Sequence, residues 1–430
     1  LYNLLAYVGW GVFQLIFNLY LGELGLHEDA MGRFSAAQTL VMAVGAATMG
    51  PVLARFGVWR SMIGGMIVFL ATSVGLALAE HPALILGLSA ASGAGLAYLF
   101  TTTMPFIIEW TPVRQRQHVS AVAFAVIGLS GTLGSLVGGV LPDRLPLDPL
   151  WAYRWTLLAG TVLAALALVP LMRMGESRAR AGAPDHSATK EASDALGRRQ
   201  VRNDMAMFII VGGLMAIGAG MVLPFYNVFL SKLGASADEI GIVYALAGLS
   251  SATIGLTSPA IARRWGALAG VAGVRLAGVP LYALMLIWPV MPIAVLAHIV
   301  RQTTISMAWP IDSTFIADVL PPKARASVFG LRSAAWNLAY ALASLVGGLI
   351  IVEHGYNPTF WSLIVFTAIP MAIFVGYYLR HPRVLAGELP SALPRRREHP
   401  PAEPEPEPAP EPMIVSDLNE IDPSQSGGAP

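Results

Sequence analysis

Long apolar runs alternate with short polar segments along most of the chain. Each run is close to the roughly 20 residues that an α-helix needs to cross a bilayer. The six runs of the first half lie at residues 1–22, 32–54, 61–79, 83–108, 119–141 and 151–172. The six runs of the second half lie at 204–230, 240–262, 268–290, 292–316, 327–351 and 358–379. The pattern predicts an all-α membrane protein with twelve transmembrane helices in two six-helix halves.

The segments between and after these runs divide the chain further. Residues 173–203 are polar and basic, and residues 381–430 are rich in Pro and Glu. Neither segment has an apolar period, so we expect a cytoplasmic linker and a disordered cytoplasmic tail. The predicted organisation is therefore a half at 1–172, the linker at 173–203, a half at 204–380 and the tail at 381–430.

The composition agrees with a membrane protein. Hydrophobic residues make up 55% of the 430 residues and charged residues only 12%, where soluble domains carry about 25% charged residues. The formal net charge of +1 does not favour a nucleic-acid partner. The sequence contains no Cys, which excludes disulfides and thiolate metal ligands. With no nucleotide-binding or hydrolase motif present, we expect neither an enzyme nor a bound cofactor or metal.

The basic residues predict the orientation in the membrane. Most of the 27 Lys and Arg residues fall on one side if both termini are cytoplasmic, as the positive-inside rule requires. We expect a multi-pass protein of the plasma membrane, the inner membrane if the source is bacterial. Arg275 and Arg332 lie near predicted helix ends, so we expect their side chains to extend to the cytoplasmic surface.

The two halves repeat each other at an offset of 209 residues. This offset pairs Asn18 with Asn227 and Gly25 with Gly234, and it aligns SLVGG at 135–139 with SLVGG at 344–348. Because six predicted helices separate equivalent positions, the halves have the same orientation, related by an axis along the membrane normal. We expect a cavity between the halves.

The loop after the second helix, GPVLARFGVWR at 50–60, resembles the G-x-x-x-D-R-x-G-x-x-R/K motif of the major facilitator superfamily. Ala54 stands where the family has Asp, so that carboxylate is missing from the motif. The resemblance implies secondary transport by alternating access, with these loops and nearby charges in gating; simple anchoring by positive charge is an equal alternative. The gating candidates are Gly50, Arg55, Gly57, Arg60, Glu109, Arg116, Arg264, Gly266, Asp318 and Arg325.

The fifth helix carries GSLVGG at 134–139. This segment is similar to the G-P-x-x-G-G pattern of the family's antiporters, with Ser135 in place of Pro, and it favours export. Close helix packing through small residues is the alternative interpretation, and we prefer it.

Arg301 is the charge closest to the predicted mid-membrane depth. It lies about ten residues, or roughly 15 Å, into the tenth helix. His298, Gln302, Trp309 and Asp312 follow spacings of three and four and share one helix face with Arg301. A charged residue inside the membrane usually faces a binding site or a partner. We therefore expect Arg301, aided by His298 and Gln302, to bind an anionic or strongly polar solute. The alternative is that Arg301 pairs internally with a carboxylate or with helix carbonyls and serves packing.

The resemblance also points to polar and aromatic residues on helices that line the cavity in the family. The remaining solute-binding candidates are Trp309, Trp10, Gln14, Asn18, Tyr226, Asn227, Trp336, Asn337 and Tyr340. We expect a monomer that moves a small polar or anionic organic solute, by export or exchange, with proton or counter-anion coupling as options. Uptake of a sugar-like nutrient is an alternative, and a non-transporting assembly or sensor subunit is another.

Overall fold

The computed structural model describes residues 1–175, 197–389 and 391–394. The side chains of residues 108, 113, 114, 116–118, 121, 322, 323 and 326 lie outside this description. Most of the predicted linker and the tail from residue 395 therefore fall outside the described residues.

Helices form nearly all of the first half. Their order along the chain is α1 (Tyr2–Glu23), α2 (Glu28–Ala47), α3 (Met49–Phe56), α4 (Val58–Leu78), α5 (Pro82–Thr101), α6 (Thr103–Trp110), α7 (Val113–Arg144), α8 (Pro149–Ala165) and α9 (Leu168–Met174). The pair α2 and α3 is bent by 56°.

The second half is also helical. Its helices are α10 (Arg198–Val222), α11 (Tyr226–Lys232), α12 (Ala237–Ile254), α13 (Ser258–Leu276), α14 (Val279–Ile287), α15 (Met291–Val319), α16 (Pro322–His354), α17 (Asn357–Leu379) and α18 (Pro382–Leu385). A 3₁₀ turn at Leu223–Phe225 joins α10 to α11, because Pro224 cannot donate a backbone hydrogen bond to a continuous helix.

The helices are long and apolar enough for a multi-pass membrane protein. Within the described residues nine candidate spans are found, or ten if the bent pair α2 and α3 is one span. The stretch Ala237–Ile287 counts once although its 51 residues suffice for two crossings, and a positive φ of 75° at Gly266 divides it. Helix α15 is not among the candidates because its polar residues lower its hydropathy. The count of twelve crossings stays a prediction with which these observations agree.

Packing follows the two halves. In the first half α1 lies against α7 and α8, and α2 and α4 lie against α5; in the second, α10 lies against α16 and α17, and α12 against α15. Two broad contacts then join the halves, one between α2 and α16 and one between α7 and α12.

The repeat is visible in the backbone. Gly57 has a φ of 80° and Gly266 a φ of 75°, and Gly25 and Gly234 both have positive φ. These values lie in the region that glycine adopts without strain. Each pair is separated by 209 residues, so the same turns recur at the same places in both halves.

The helical bundle continues beyond residue 380, where the sequence suggested that the disordered tail begins. Helix α18 follows α17 directly, and the backbone N–H groups of Ala267 and Leu268 donate to the carbonyls of Ser391 and Ala392 at 2.7 and 3.2 Å. Val384, Leu389 and Ala392 of this segment are buried, but a few apolar residues in a short segment with Pro and Gly do not by themselves indicate that it packs against α13.

Candidate functional site

Two reciprocal hydrogen bonds join the halves. The Asn18 amide donates to the carbonyl of Pro224, and the Asn227 amide donates to the carbonyl of Leu15 at 2.7 Å. The 209-residue offset carries Asn18 onto Asn227 and Leu15 onto Pro224, so each bond is the symmetry image of the other. Asn18 and Asn227, both predicted to contact solute, thus lie in the contact between the halves.

Glycines bring the halves together at the same end of the bundle. A Cβ built on Gly139 would lie 2.6 Å from the carbonyl oxygen of Ala237, and one built on Gly348 would overlap that of Glu28. These two contacts are again related by the offset. The SLVGG segments therefore serve close packing, the interpretation preferred over an antiporter signature. The two glycine contacts and the two asparagine bonds together form one part of the interface between the halves. We call this part the seal.

A buried carboxylate completes the seal. Glu28 is only 3% exposed and accepts hydrogen bonds from Lys232 and, at 2.8 Å, from the Tyr356 hydroxyl. Burial, together with the charge of Glu28, raises the pKa of Tyr356, which favours the protonated phenol that donates this bond. We call the hydrogen bonds of Glu28 with Lys232 and Tyr356 the clasp. Under the predicted orientation the clasp lies on the extracellular side.

Arg301 lies buried in the second half close to the seal. It is 8% exposed, its Nη2 is 3.4 Å from Gln302 Oε1, and its Nε has no hydrogen-bond partner. Among the described residues, no carboxylate oxygen lies within 4.0 Å of its guanidinium. The expected alternative, an internal carboxylate partner, is therefore not observed in this part of the chain.

Aromatic rings lie near this cation. The ring of His298 lies 4.3 Å from that of Tyr244 and 4.9 Å from that of Tyr226, tilted by 36° and 30°. The Tyr226 hydroxyl donates to the carbonyl of Ala294 at 2.7 Å. Tyr244, Tyr282 and Tyr340 lie on α12, α14 and α16, which pack against α15. His298 is 3% exposed and its Nδ1 has no partner. The result is a positively charged site with π-systems and unpaired donors.

The other predicted solute contacts are spread more widely. Gln14 is exposed and Trp10 half-buried on α1, and the Trp10 ring packs within the first half, 5.1 Å from that of Phe100. Trp336 is half-buried, whereas the Asn337 amide donates within its own helix, to the Ser333 carbonyl at 2.9 Å. Trp309 is 60% exposed and lies over the guanidinium of Arg332.

Asp312 forms an ion-pair cluster that the sequence did not suggest. It is 5% exposed and binds Arg332 and, at 3.2 Å, Arg275. The expectation that both arginines reach the cytoplasmic surface is wrong, because a buried carboxylate on a neighbouring helix holds them inside. The cluster has one more positive than negative charge.

The predicted gating residues of the first half surround the turn at Gly57. Gly50 and Arg55 are exposed in α3, and the Arg55 guanidinium lies 5.3 Å from the Phe56 ring centroid. Arg60 is exposed and Glu109 half-buried. The Arg116 side chain lies outside the described residues.

Their counterparts in the second half surround Gly266. Arg264 and Asp318 are exposed, and the Arg325 guanidinium donates to the Leu320 carbonyl at 2.9 Å. Gly266 itself packs against the backbone of Leu393 so closely that a Cβ would overlap it. The segment after α17 thus covers this turn.

A sequence profile of the Major Facilitator Superfamily matches residues 1–304 and, in a second match, residues 213–410. The chain belongs to the major facilitator superfamily. It is a multi-pass integral membrane protein, and members of the superfamily transport small solutes and are not enzymes. A solved D-xylose–proton symporter has the same fold, with a TM-score of 0.68, 17% identity, and coverage of 86% of this chain and 96% of that one.

Curated relatives match shorter regions. The cis,cis-muconate transport protein of Acinetobacter baylyi is 30% identical over 70 residues, which are 16% of each chain. The gallate transporter of Pseudomonas putida is 29% identical over 148 residues, 34% of this chain and 31% of that one. This chain therefore aligns with no more than about a third of either relative's length.

Sequence reasoning missed Tyr244 and Tyr282 beside Arg301 and the role of Asp312. Tyr244 lies on α12 and Tyr282 on α14, each as a single aromatic residue in an apolar helix. Such a residue carries no signal until the packing of its helix against α15 is known.

Proposed function

We propose that this transporter moves a small organic anion, a carboxylate with a planar or unsaturated body, by alternating access between its two halves. The observation that carries the proposal is the buried guanidinium of Arg301, which has no carboxylate partner among the described residues. A cation at mid-membrane depth is costly unless it is paired. A solute carboxylate would supply that charge and accept from the unpaired Nε.

The surrounding rings support an aromatic or unsaturated body rather than a purely aliphatic one. Tyr226, Tyr244 and His298 pack against one another near the charge, and rings of this kind also stack on planar ligands at offset distances. The relatives named for muconate and gallate, both unsaturated carboxylates, agree with this class over the shorter regions that they share.

The closed seal agrees with alternating access, in which only one end of the protein is open at a time. With this end closed, the site can exchange solute only with the opposite side, which is the cytoplasm under the predicted orientation. Transport to the other side requires the two asparagine bonds and the clasp of Glu28 to open together. Export or exchange is the direction that we favour.

A ligand panel tests the proposal on the purified full chain. Gallate and cis,cis-muconate are each paired with the matching amide, which keeps the shape and removes the charge, and D-xylose is included as a neutral sugar. We expect the melting temperature to rise with a carboxylate and not with its amide, because a ligand that binds only the native state stabilises it. Stabilisation by the sugar and by none of the carboxylates would contradict the proposal.

A further inference from the structure

A cavity opens at the surface of the second half, and Arg301 is not among the residues that line it. Its volume is about 490 Å³, and it lies where the beginning of α10 meets the end of α17. It is lined by residues of both helices and of the segment after α17, among them Gln200, Tyr377, Arg380 and His381.

The cavity has an apolar part and a polar part. Ala372, Ile373 and Gly376 line it within α17, while Asn203 and Arg380 line it at the helix ends. Arg380 is seven positions after Ile373, a distance of about 10 Å along a helix. A phospholipid has the same order, with its charged phosphate at the membrane surface and its acyl chains in the hydrocarbon core below it.

The polar part carries positive charge. Arg380 is exposed, and within the described ranges no carboxylate oxygen lies within 4.0 Å of its guanidinium. Three arginines near the start of α10, at positions 198, 199 and 202, are also exposed, although they do not line the cavity. An anionic group entering from the membrane surface would be attracted to these charges.

The nearby carboxylate is shielded from the cavity. Asp204 is 1% exposed; it accepts from the Tyr377 hydroxyl at 2.7 Å and lies 3.3 Å from His381. Gln200 donates to the Tyr377 hydroxyl at 3.1 Å. The wall residues therefore use their polar atoms to satisfy Asp204, and Arg380 is left as the charged group that faces an occupant.

We propose that this cavity binds one anionic phospholipid, with its phosphate at Arg380 and the start of an acyl chain along Ile373 and Gly376. Basic pockets between transmembrane helices are suited to such headgroups. A cavity of this volume is in the range that holds a ligand larger than a phosphate ion. The site is separate from the one proposed for solute and does not depend on it.

Two substitutions test the assignment on the full chain. Arg380→Gln removes the charge and keeps a polar side chain. Gly376→Leu fills the apolar part, and a Cβ there meets no atom within 4 Å, so the fold has room for it. Arg173→Gln, at an exposed arginine near the end of the first half, and Gly64→Leu, also with open space around its Cβ, are the matched controls.

The measurement is native mass spectrometry after incubation with phosphatidylglycerol and phosphatidylcholine of identical acyl chains. We expect the wild type to retain one phosphatidylglycerol in preference to phosphatidylcholine. Arg380→Gln should lower this preference about fivefold, since one basic residue near the surface contributes about 1 kcal/mol. Gly376→Leu should lower retention of both lipids, and the two controls should behave as the wild type.

Equal retention by the wild type and both cavity variants, with unchanged elution and melting temperature, would overturn the assignment. So would equal retention of phosphatidylglycerol and phosphatidylcholine by the wild type.

Discussion

Loss of the two reciprocal asparagine bonds should shift the protein toward the conformation that is open at the seal. Asn18→Ala and Asn227→Ala each remove one bond between the halves. Interhelical hydrogen bonds in membrane proteins contribute about 0.6 kcal/mol on average and up to about 1.7 kcal/mol. One substitution should therefore raise the open population roughly 3- to 18-fold. The symmetry-related second substitution should raise it by a similar factor again.

The native chain contains no Cys, so a single introduced thiol can report on this opening. Ser344 is fully buried in α16, and its hydroxyl bonds only within that helix, to Ala341 at 2.9 Å. In the Ser344→Cys background, the rate of maleimide labelling from the sealed side should rise in the order wild type, single and double asparagine variants. Asn337→Ala, whose amide bonds only within its own helix, is the control. Equal rates throughout, or an equal rise in the control, would refute the role of these bonds.

Two further predictions concern packing and buried charge. Gly348→Ala should lower the melting temperature by a few degrees, because its Cβ would overlap the Glu28 carbonyl and overpacking costs roughly 1–3 kcal/mol; Gly64→Ala, with no atom within 4 Å of its Cβ, should leave it unchanged. Asp312→Asn should destabilise the native state by roughly 3–5 kcal/mol, because two buried arginines lose their counter-ion. This should appear as reduced yield of folded protein in size-exclusion chromatography. The matched control is Asp318→Asn, at an exposed carboxylate, which should change stability by less than about 0.5 kcal/mol; a normal yield of Asp312→Asn would contradict the role of the cluster.

The internal repeat is the feature of the fold that the sequence predicts in most detail. The 209-residue offset pairs Asn18 with Asn227, and in the structure both asparagines make the same bond to the opposite half. Their role was not predictable, because an amide on a helix face is compatible with a solute, a neighbouring helix or the other half. Only the crossing of α1 and α11 decides among these.

The charged residues inside the predicted helices also have contacts that could not be predicted from the sequence. Arg301 was predicted to lie buried, and it does, because its distance from both helix ends is readable from hydropathy. Arg275 and Arg332 lie nearer to helix ends, where a long side chain can reach water. What keeps them inside is Asp312 on a third helix, and contacts between helices distant in sequence are not encoded in hydropathy.

The central claim is that Arg301 supplies the charge that binds an anionic solute. Its most direct test is the dissociation constant of the best carboxylate from the panel, measured by isothermal titration calorimetry for wild type, Arg301→Gln and the exposed control Arg263→Gln. A charge-assisted hydrogen bond contributes about 1.5–3 kcal/mol. We therefore predict binding weakened roughly 10- to 150-fold in Arg301→Gln and unchanged in the control. Wild-type affinity in a folded Arg301→Gln protein would contradict the claim.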